Sequence, residues 1–383
     1  TILTCFLFGY NLFAQQVQIL DLETKESIPF VKVDPNEGTG FFADIDGYFT
    51  PPKNATTVTL HMTLYADTTV ALTGQTVIYL RSLDNAIDEI VILPGVNKAE
   101  RIMEKAIENR KINHPKSDVS YKFRSYSKFM FTMNQDALAA IPDNTTDTNL
   151  RDLKSFFDKQ HLMVLENTTE KYFKPPFREK EIITAYKVSG FTDPAFSTFA
   201  SELQTFNFYE NNFDLLGTSY INPLAFGGIR RYLFILEDST VNAPGDTTYV
   251  IRFQPRRDKN FNGMKGTMYI NTKGYALEKV IAQPADTVNN LQAKIIQEYA
   301  YLDGKKWFPY KLSTEALFPG LNLSSSLKDG YLVGKGSTYI EDVQLGIDLS
   351  DERFNAATVQ TERDANEKDS IHWDKNRKYQ LND

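Results

Sequence analysis

The second half of the chain is dominated by long runs in which apolar and polar residues alternate. TTYVIRFQP (247–255), GTMYINTKGYALEKVIAQP (266–284), AKIIQEYAYLDGKKWFPYKLSTEALF (293–318) and GSTYIEDVQL (336–345) follow one another closely. A period of two puts one set of side chains on each face of a strand. Asn271-Thr272-Lys273-Gly274 and Leu302-Asp303-Gly304-Lys305 interrupt two of the runs with turn residues, so both read as hairpins. The expectation is one antiparallel sheet over 247–318. Tyr249, Ile251 and Phe253 should share a face, with Trp307 and Pro309 near the rim. A sheet with one apolar face must be covered or stay half wet. Its concave face is the expected binding surface, unless the chain's own core fills it.

The rest of the chain fits a mainly β architecture with helical insertions. Aromatic residues make up 13% of the sequence, with 27 Phe and 20 Tyr, and aromatics favour strands. At 383 residues more than one domain is expected. Residues 16–82 hold short strands (VQILDL, IPFVKV, TVTLHMTL, QTVIYL) separated by turn residues, which predicts a small β-sandwich. Residues 83–115 read as a linker and a connector helix. Asn97 followed by Glu100 resembles a capping box, and Ile102, Met103, Ala106 and Ile107 form one apolar stripe. Residues 116–347 read as an α+β domain built on the long antiparallel sheet. It opens on a strand, Tyr121 to Met133, and carries helical patterns at 147–162 and at 194–204, the second begun by Asp193-Pro194. The polar stretch 348–383 reads as an exposed tail or a linker.

Residues 1–15 have the character of a partial secretory signal. Ile2 to Phe13 is largely apolar, Ala14 follows, and the run is too short to span a bilayer. The chain therefore reads as a fragment that begins inside its signal. Cys5, the one cysteine, lies in this segment, so a mature chain would carry no disulfide, thiol nucleophile or cysteine-based zinc site. A net charge of −7 argues against nucleic acid as a partner.

No motif in the sequence points to catalysis, a cofactor or a metal. ADIDGYF (43–49) places two aspartates before a glycine, but Tyr48 and Ala55 fall where an EF-hand loop needs oxygen ligands. The stretch reads as a hairpin turn in which Gly47 takes positive φ. His61, His114, His161 and His372 show no H-E-x-x-H or helix-face spacing. There is no nucleophile elbow or phosphate loop, and Gly334-Lys335-Gly336 is a lone G-x-G. One basic cluster, Arg256, Arg257 and Lys259, could hold a phosphate, an acidic headgroup or a partner through its side chains, or be a solvated hairpin loop.

The opening LDLETKESIPFVKV, the ADIDGYF turn and the closing LDNAIDEIVILPG resemble the carboxypeptidase-regulatory-like domain, a β-sandwich without peptidase residues. Further blocks, among them NKAERIMEKAIENRKINHP, SYINPLAFGGIRRYLFILEDS and KKWFPYKL, resemble a Bacteroidota outer-membrane family. In that family the regulatory-like module precedes a large domain of unknown function. The family's helix usually begins Asn-Pro-Ala, where this chain has Asn97-Lys98-Ala99. The resemblance implies an exported, non-enzymatic protein of the periplasm and outer membrane. Its partner would be an envelope protein, a lipid or a glycan, and its membrane contact would run through further β-structure C-terminal to this fragment. Two alternatives stand beside it: a carbohydrate-binding protein, since such sandwiches resemble starch-binding folds, and a hydrolase whose site lies in that C-terminal part. Asp followed by Ser or Thr and then Thr, Val or Ile also resembles an O-glycosylation signal of exported Bacteroidota proteins. It marks Thr68, Ser239, Thr247, Thr287 and Ser370 as possible modification sites, against the bland reading that these are common turn pairs.

Overall fold

The computed structural model describes residues 16–81, apart from 24, 26, 29–30, 38–40, 44–46, 53 and 63–64. It also describes residues 97–378, apart from 192–206, 216, 244, 258, 286–291, 325 and 356. The chain divides into two compact units, Thr1–Gly95 and Val96–Asp383. The signal reading of 1–15, the linker 83–96, the helix at 194–204 and the centre of the ADIDGYF turn lie outside the described residues.

The first unit contains two sheets around one core. One sheet has β1 (Val17–Asp21) between β4 (Tyr48–Phe49) and β7 (Val77–Leu80); the other runs β3 (Phe41–Phe42), β2 (Lys32–Pro35), β5 (Thr57–His61), β6 (Thr68–Ala71). Alternation decides which side chains go in: Val17 and Ile19, Val58 and Leu60, Ile78 and Leu80 are all buried in the shared core. Gly47 has φ +77°, and a Cβ there would lie 2.8 Å from the Ile19 carbonyl oxygen, so only glycine fits.

The second unit is organised by an eleven-stranded sheet. Its strand order is β13 (Tyr232–Ala243), β14 (Asp246–Pro255), β15 (Met264–Asn271), β16 (Ala276–Pro284), β17 (Gln292–Leu302), β18 (Lys306–Asn322) and β19 (Tyr331–Leu345), continuing through β8 (Tyr121–Met133), β9 (Met163–Lys174), β10 (Arg178–Gly190) and β20 (Val359–Thr361). Every pairing is antiparallel except the last, where β20 runs parallel to β10. The strands expected between 247 and 318 thus form one continuous sheet, and the 121–133 strand falls on the residues where alternation placed it.

One face of this sheet is filled by the chain's own core. Phe131, Phe234, Ile251, Phe253, Met268 and Val280 meet the apolar side of α1 (Lys98–Glu108), which buries Ala99, Ile102, Met103 and Ala106. Phe208, Tyr209 and Leu224 complete the cover. This corrects the expectation of an open inner face: burying it removes a large apolar area from water, at roughly 25 cal/mol for each Å². A second cluster, Tyr121, Phe123, Phe173, Phe308 and Ile340, packs near the other end of the same strands, with Tyr121 and Phe173 stacked at 5.2 Å. Hydroxyl pairs bridge the buried strands nearby, Ser125 to Thr169 at 2.7 Å and Ser127 to Thr338 at 2.9 Å.

Helix α1 starts where the cap signal placed it. The Asn97 side chain accepts from the Ala99 N–H at 3.0 Å. The capping-box partner behaves differently, because the Glu100 carboxylate accepts from Arg256 at 2.7 Å. The segment after residue 348 is not an exposed tail. It makes a 3-10 turn (Asp351–Phe354), contributes β20 and ends in a short helix, Ser370–Asn376, capped by Asp369. Trp373 is buried against Tyr126 and Ala185, and Arg377 forks onto Glu166 at 2.8 and 2.6 Å. Its polar composition disguised two anchors, one aromatic and one guanidinium, that suffice to dock it.

Candidate functional site

With the inner face closed, an opening remains at the rim of the sheet. It is a cleft of about 590 Å³, within the roughly 300–1,000 Å³ usual for small-ligand sites. Its lips are the two turns legible in the sequence, Thr272–Tyr275 between β15 and β16 and Asp303–Lys305 between β17 and β18. The opposite wall is the segment 112–119, which follows α1, and the end of β19 closes the far side.

The lips are fixed by hydrogen bonds to backbone. Asn109 and Asn113 both donate to the Gly274 carbonyl, at 3.0 and 2.9 Å, and the Trp307 indole donates to the Lys273 carbonyl at 3.0 Å. Gly274 has φ +76°, a conformation that the turn requires and a side chain would resist. The wall is tied to β19 where the Gly346 N–H donates to the Ser120 carbonyl at 2.8 Å. The cleft is therefore preformed by rigid elements.

Its chemistry is mixed. Ile112 is 71% exposed and Tyr301 38%, so both present apolar surface at the cavity. The Tyr301 ring leans on Trp307 with centroids 5.4 Å apart. Three amines face the same space. Lys273 pairs with Asp246 at 2.7 Å, Lys305 is exposed at the mouth, and Lys306 donates to the His114 carbonyl at 2.9 Å and to the Ser117 hydroxyl. Burial pulls the Lys306 amine down to about 8, against the opposing charge of Asp118. Among the described residues Asp118 is the acidic side chain in the cleft lining, and Asp303 stands in the lip beside Lys305.

The outer face of the sheet is polar yet partly buried. One row of directly opposed residues crosses six strands: Tyr269, Lys279, Glu298, Lys311, Tyr339 and Tyr126. Lys279 is fully buried, with its amine 3.5 Å from Glu298 and 5.8 Å from the centre of the Tyr269 ring. Loss of water pulls Lys279 down to about 7, which Glu298 only partly offsets. Lys279 has no opening to solvent, so it reads as part of the sheet's structure rather than a reactive amine.

The residues singled out in the sequence do not gather at either place. Arg256 is spent on Glu100, which ties the β14 end to α1, while Arg257 and Lys259 lie exposed beyond the strand. Ser239 is exposed on the edge strand β13, and Ser370 is exposed at the start of the last helix. Thr68 and Thr247 are half-buried on β6 and β14, and the Thr68 hydroxyl donates to the Ala66 carbonyl at 2.9 Å. Thr287 lies outside the described residues. His61 sits beside Asp34 and Asp67, and His114 beside Glu210. Among the described residues no three His, Cys, Asp or Glu side chains form a metal-binding group. No described helix is long and apolar enough to cross a membrane. Sequence reading missed the cleft because its parts come from four distant segments. The one available signal was that two lysine-bearing turns flank the same long hairpins.

Residues 102–327 match the model of a family of unknown function, DUF5686. The chain belongs to this family. The matched span takes in most of α1, the large sheet's strands β8 to β10 and β13 to β18, and both turns of the cleft. No curated protein matches the chain. Among solved structures, a DUF1329 family protein from Desulfovibrio piger is similar at 12% identity and a TM-score of 0.28, covering 68% of this chain and 98% of that one. A lipovitellin structure is similar at 10% identity and a TM-score of 0.25, covering 63% of this chain and 27% of its own. A Bacteroides fragilis protein of unknown function, described as a candidate membrane-associated protein, is similar at 11% identity and a TM-score of 0.15, covering 86% and 96%. At these scores the similarities assign neither fold nor function. No catalytic family is indicated for this DUF5686 chain.

Proposed function

We propose that this chain is a non-enzymatic binding part of a cell-envelope protein. It would stand in the periplasm, its first unit a carboxypeptidase-regulatory-like sandwich, and belong to an outer-membrane-associated protein of Bacteroidota type. The rim cleft carries the binding part of this reading. It is preformed, and it sets exposed apolar side chains beside lysine amines, as a recognition site does. The apolar run before Ala14 and the absence of any cysteine after Cys5 support export. Fractionation of the full-length protein from its native host, with N-terminal sequencing, tests the location. The expected product is an envelope species lacking the first 14 or so residues. An intact N-terminus in the cytosol would overturn it.

A second reading has one observation behind it. Lys306, with its lowered pKa, contacts the Ser117 hydroxyl, and a serine beside a lysine base occurs in some hydrolases. A fluorophosphonate probe that labelled Ser117, with labelling lost in Lys306→Met, would favour this reading over simple binding.

A further inference from the structure

We infer that the rim cleft takes an anionic amphiphile, its acidic head among Lys305 and Lys306 and its apolar body along Ile112 and Tyr301. This rests on the reading of the cleft as a binding site and names the class of ligand.

Three features carry it. The first is charge. Lys273 is matched by Asp246, while Lys305 and Lys306 line the cleft with Asp118, and Asp303 stands beside Lys305 in the same turn. On a chain of net charge −7, a local excess of amines selects for an acidic group. The second is exposed apolar surface. Ile112 stands in water on the wall opposite the turns, where a ligand's apolar body could cover it. The Tyr301 ring adds a flat apolar surface backed by Trp307. The third is juxtaposition. The amines and the apolar side chains line one continuous cleft of about 590 Å³, so a ligand that satisfies both must have an acidic end and an apolar end. A bare phosphate would leave Ile112 wet, and a neutral amphiphile would leave Lys305 and Lys306 unmatched.

The Lys306 amine is poised for this role. It now donates to the His114 carbonyl and the Ser117 hydroxyl, which hold it at the cleft wall rather than out in solvent. A third donor position remains on an ammonium group. A charge-assisted bond from it to a phosphate or carboxylate oxygen would be stronger than either neutral contact.

The test uses decyl phosphate and Trp307 fluorescence. Trp373 is replaced by Phe so that Trp307 is the sole reporter, since the chain has two tryptophans. The expected result is a saturable change with decyl phosphate, little response to inorganic phosphate, glycerol phosphate or decanol, and affinity roughly tenfold lower in Lys306→Met. Ile112→Ser, a change at an exposed position that leaves the fold intact, should weaken binding as well. Equal binding of decanol and decyl phosphate, or affinity unchanged in both variants, would overturn the inference. If a soluble sugar saturates the same signal and decyl phosphate does not, the ligand class is wrong while the cleft remains a binding site. If decyl phosphate is hydrolysed, the non-enzymatic reading fails while the ligand class stands. Decanoate in place of decyl phosphate separates a carboxylate source from a phosphate source.

Discussion

Val280 and Lys279 are neighbours on β16, and both are fully buried, but by different means. Val280 points into a core that a helix and two loops cover. Lys279 points to the other face. There Tyr269 and Glu298 lie against the lysine, and the Tyr310 hydroxyl donates to Glu298. The inner face is held by the area it removes from water, so its strength is spread over many contacts. The outer face is held by matched charges, each of which depends on one partner. An apolar face tolerates the loss of a contact by relaxing around it, while a buried ion pair that loses one member leaves a charge stranded.

The largest expected effect is on the inner face. Phe253→Ala should cost about 3–5 kcal/mol in urea unfolding of the second unit, since a fully buried ring is lost and a cavity remains. A loss below about 1 kcal/mol would mean that this face is loosely packed, and the contrast would break. Next is Glu298→Ala, which leaves Lys279 buried without its carboxylate and should cost about 3 kcal/mol. The double change Lys279→Met with Glu298→Leu sharpens the comparison. It should be close to neutral, because the pair is replaced rather than broken. If the double variant is as unstable as Glu298→Ala, the outer face is held by something other than the pairing.

The same lysine gives the pair a pH signature. Its folded pKa of about 7 lies below its ordinary value of 10.5. Between these two values the unfolded chain holds the extra proton, so this group's contribution to stability rises with pH across that window. The penalty for burying the charge is fully present below about 7 and absent above 10.5. Unfolding free energies of the parent and the double variant, compared from pH 6 to 10, should show that slope only in the parent.

Arg377→Gln should cost about 2 kcal/mol and free the terminal segment, because Glu166 is only 3% exposed and loses its guanidinium, keeping the Tyr126 hydroxyl and the charge of Lys128 opposite. Hydrogen exchange in residues 359–376 reads this directly. The smallest effect belongs to Arg124→Ala, also on the outer face. Its ion pair with Asp342 is largely solvated, and less than about 1 kcal/mol should follow.

The two faces also differ in how much the sequence revealed. Alternation and turn chemistry were enough for the inner one: Ile251 and Phe253 are buried where the pattern put them, and β8 covers Tyr121 to Met133. The same pattern assigns Lys279 and Glu298 to solvent, since binary patterning cannot show that opposed charges on neighbouring strands will cover one another. Composition likewise made 348–378 look like a tail, because Trp373 and Arg377 are two residues among many polar ones. The cleft was half legible. Its turns were, but the fall of Ile112 and Lys306 on opposite walls depends on tertiary placement alone.

The strand order sets when the large sheet can be completed. β8, β9 and β10 pair as a local meander, and so do β13 to β19, but the two meet only where β19 joins β8. Ser127 and Thr338 face each other across that seam from positions 211 residues apart. Closing so long a loop is an entropic cost that comes before any contact rewards it, which slows folding. A chain emerging from its N-terminus would hold one edge of β8 open until β19 had followed. The seam then zips with little tolerance. Gly336 sits so close to Phe129 that a Cβ there would come within 2.6 Å of the ring. Assembly of this protein is timed by its last long strand, and the edge that waits for it is where an incomplete chain is most open to pairing with another.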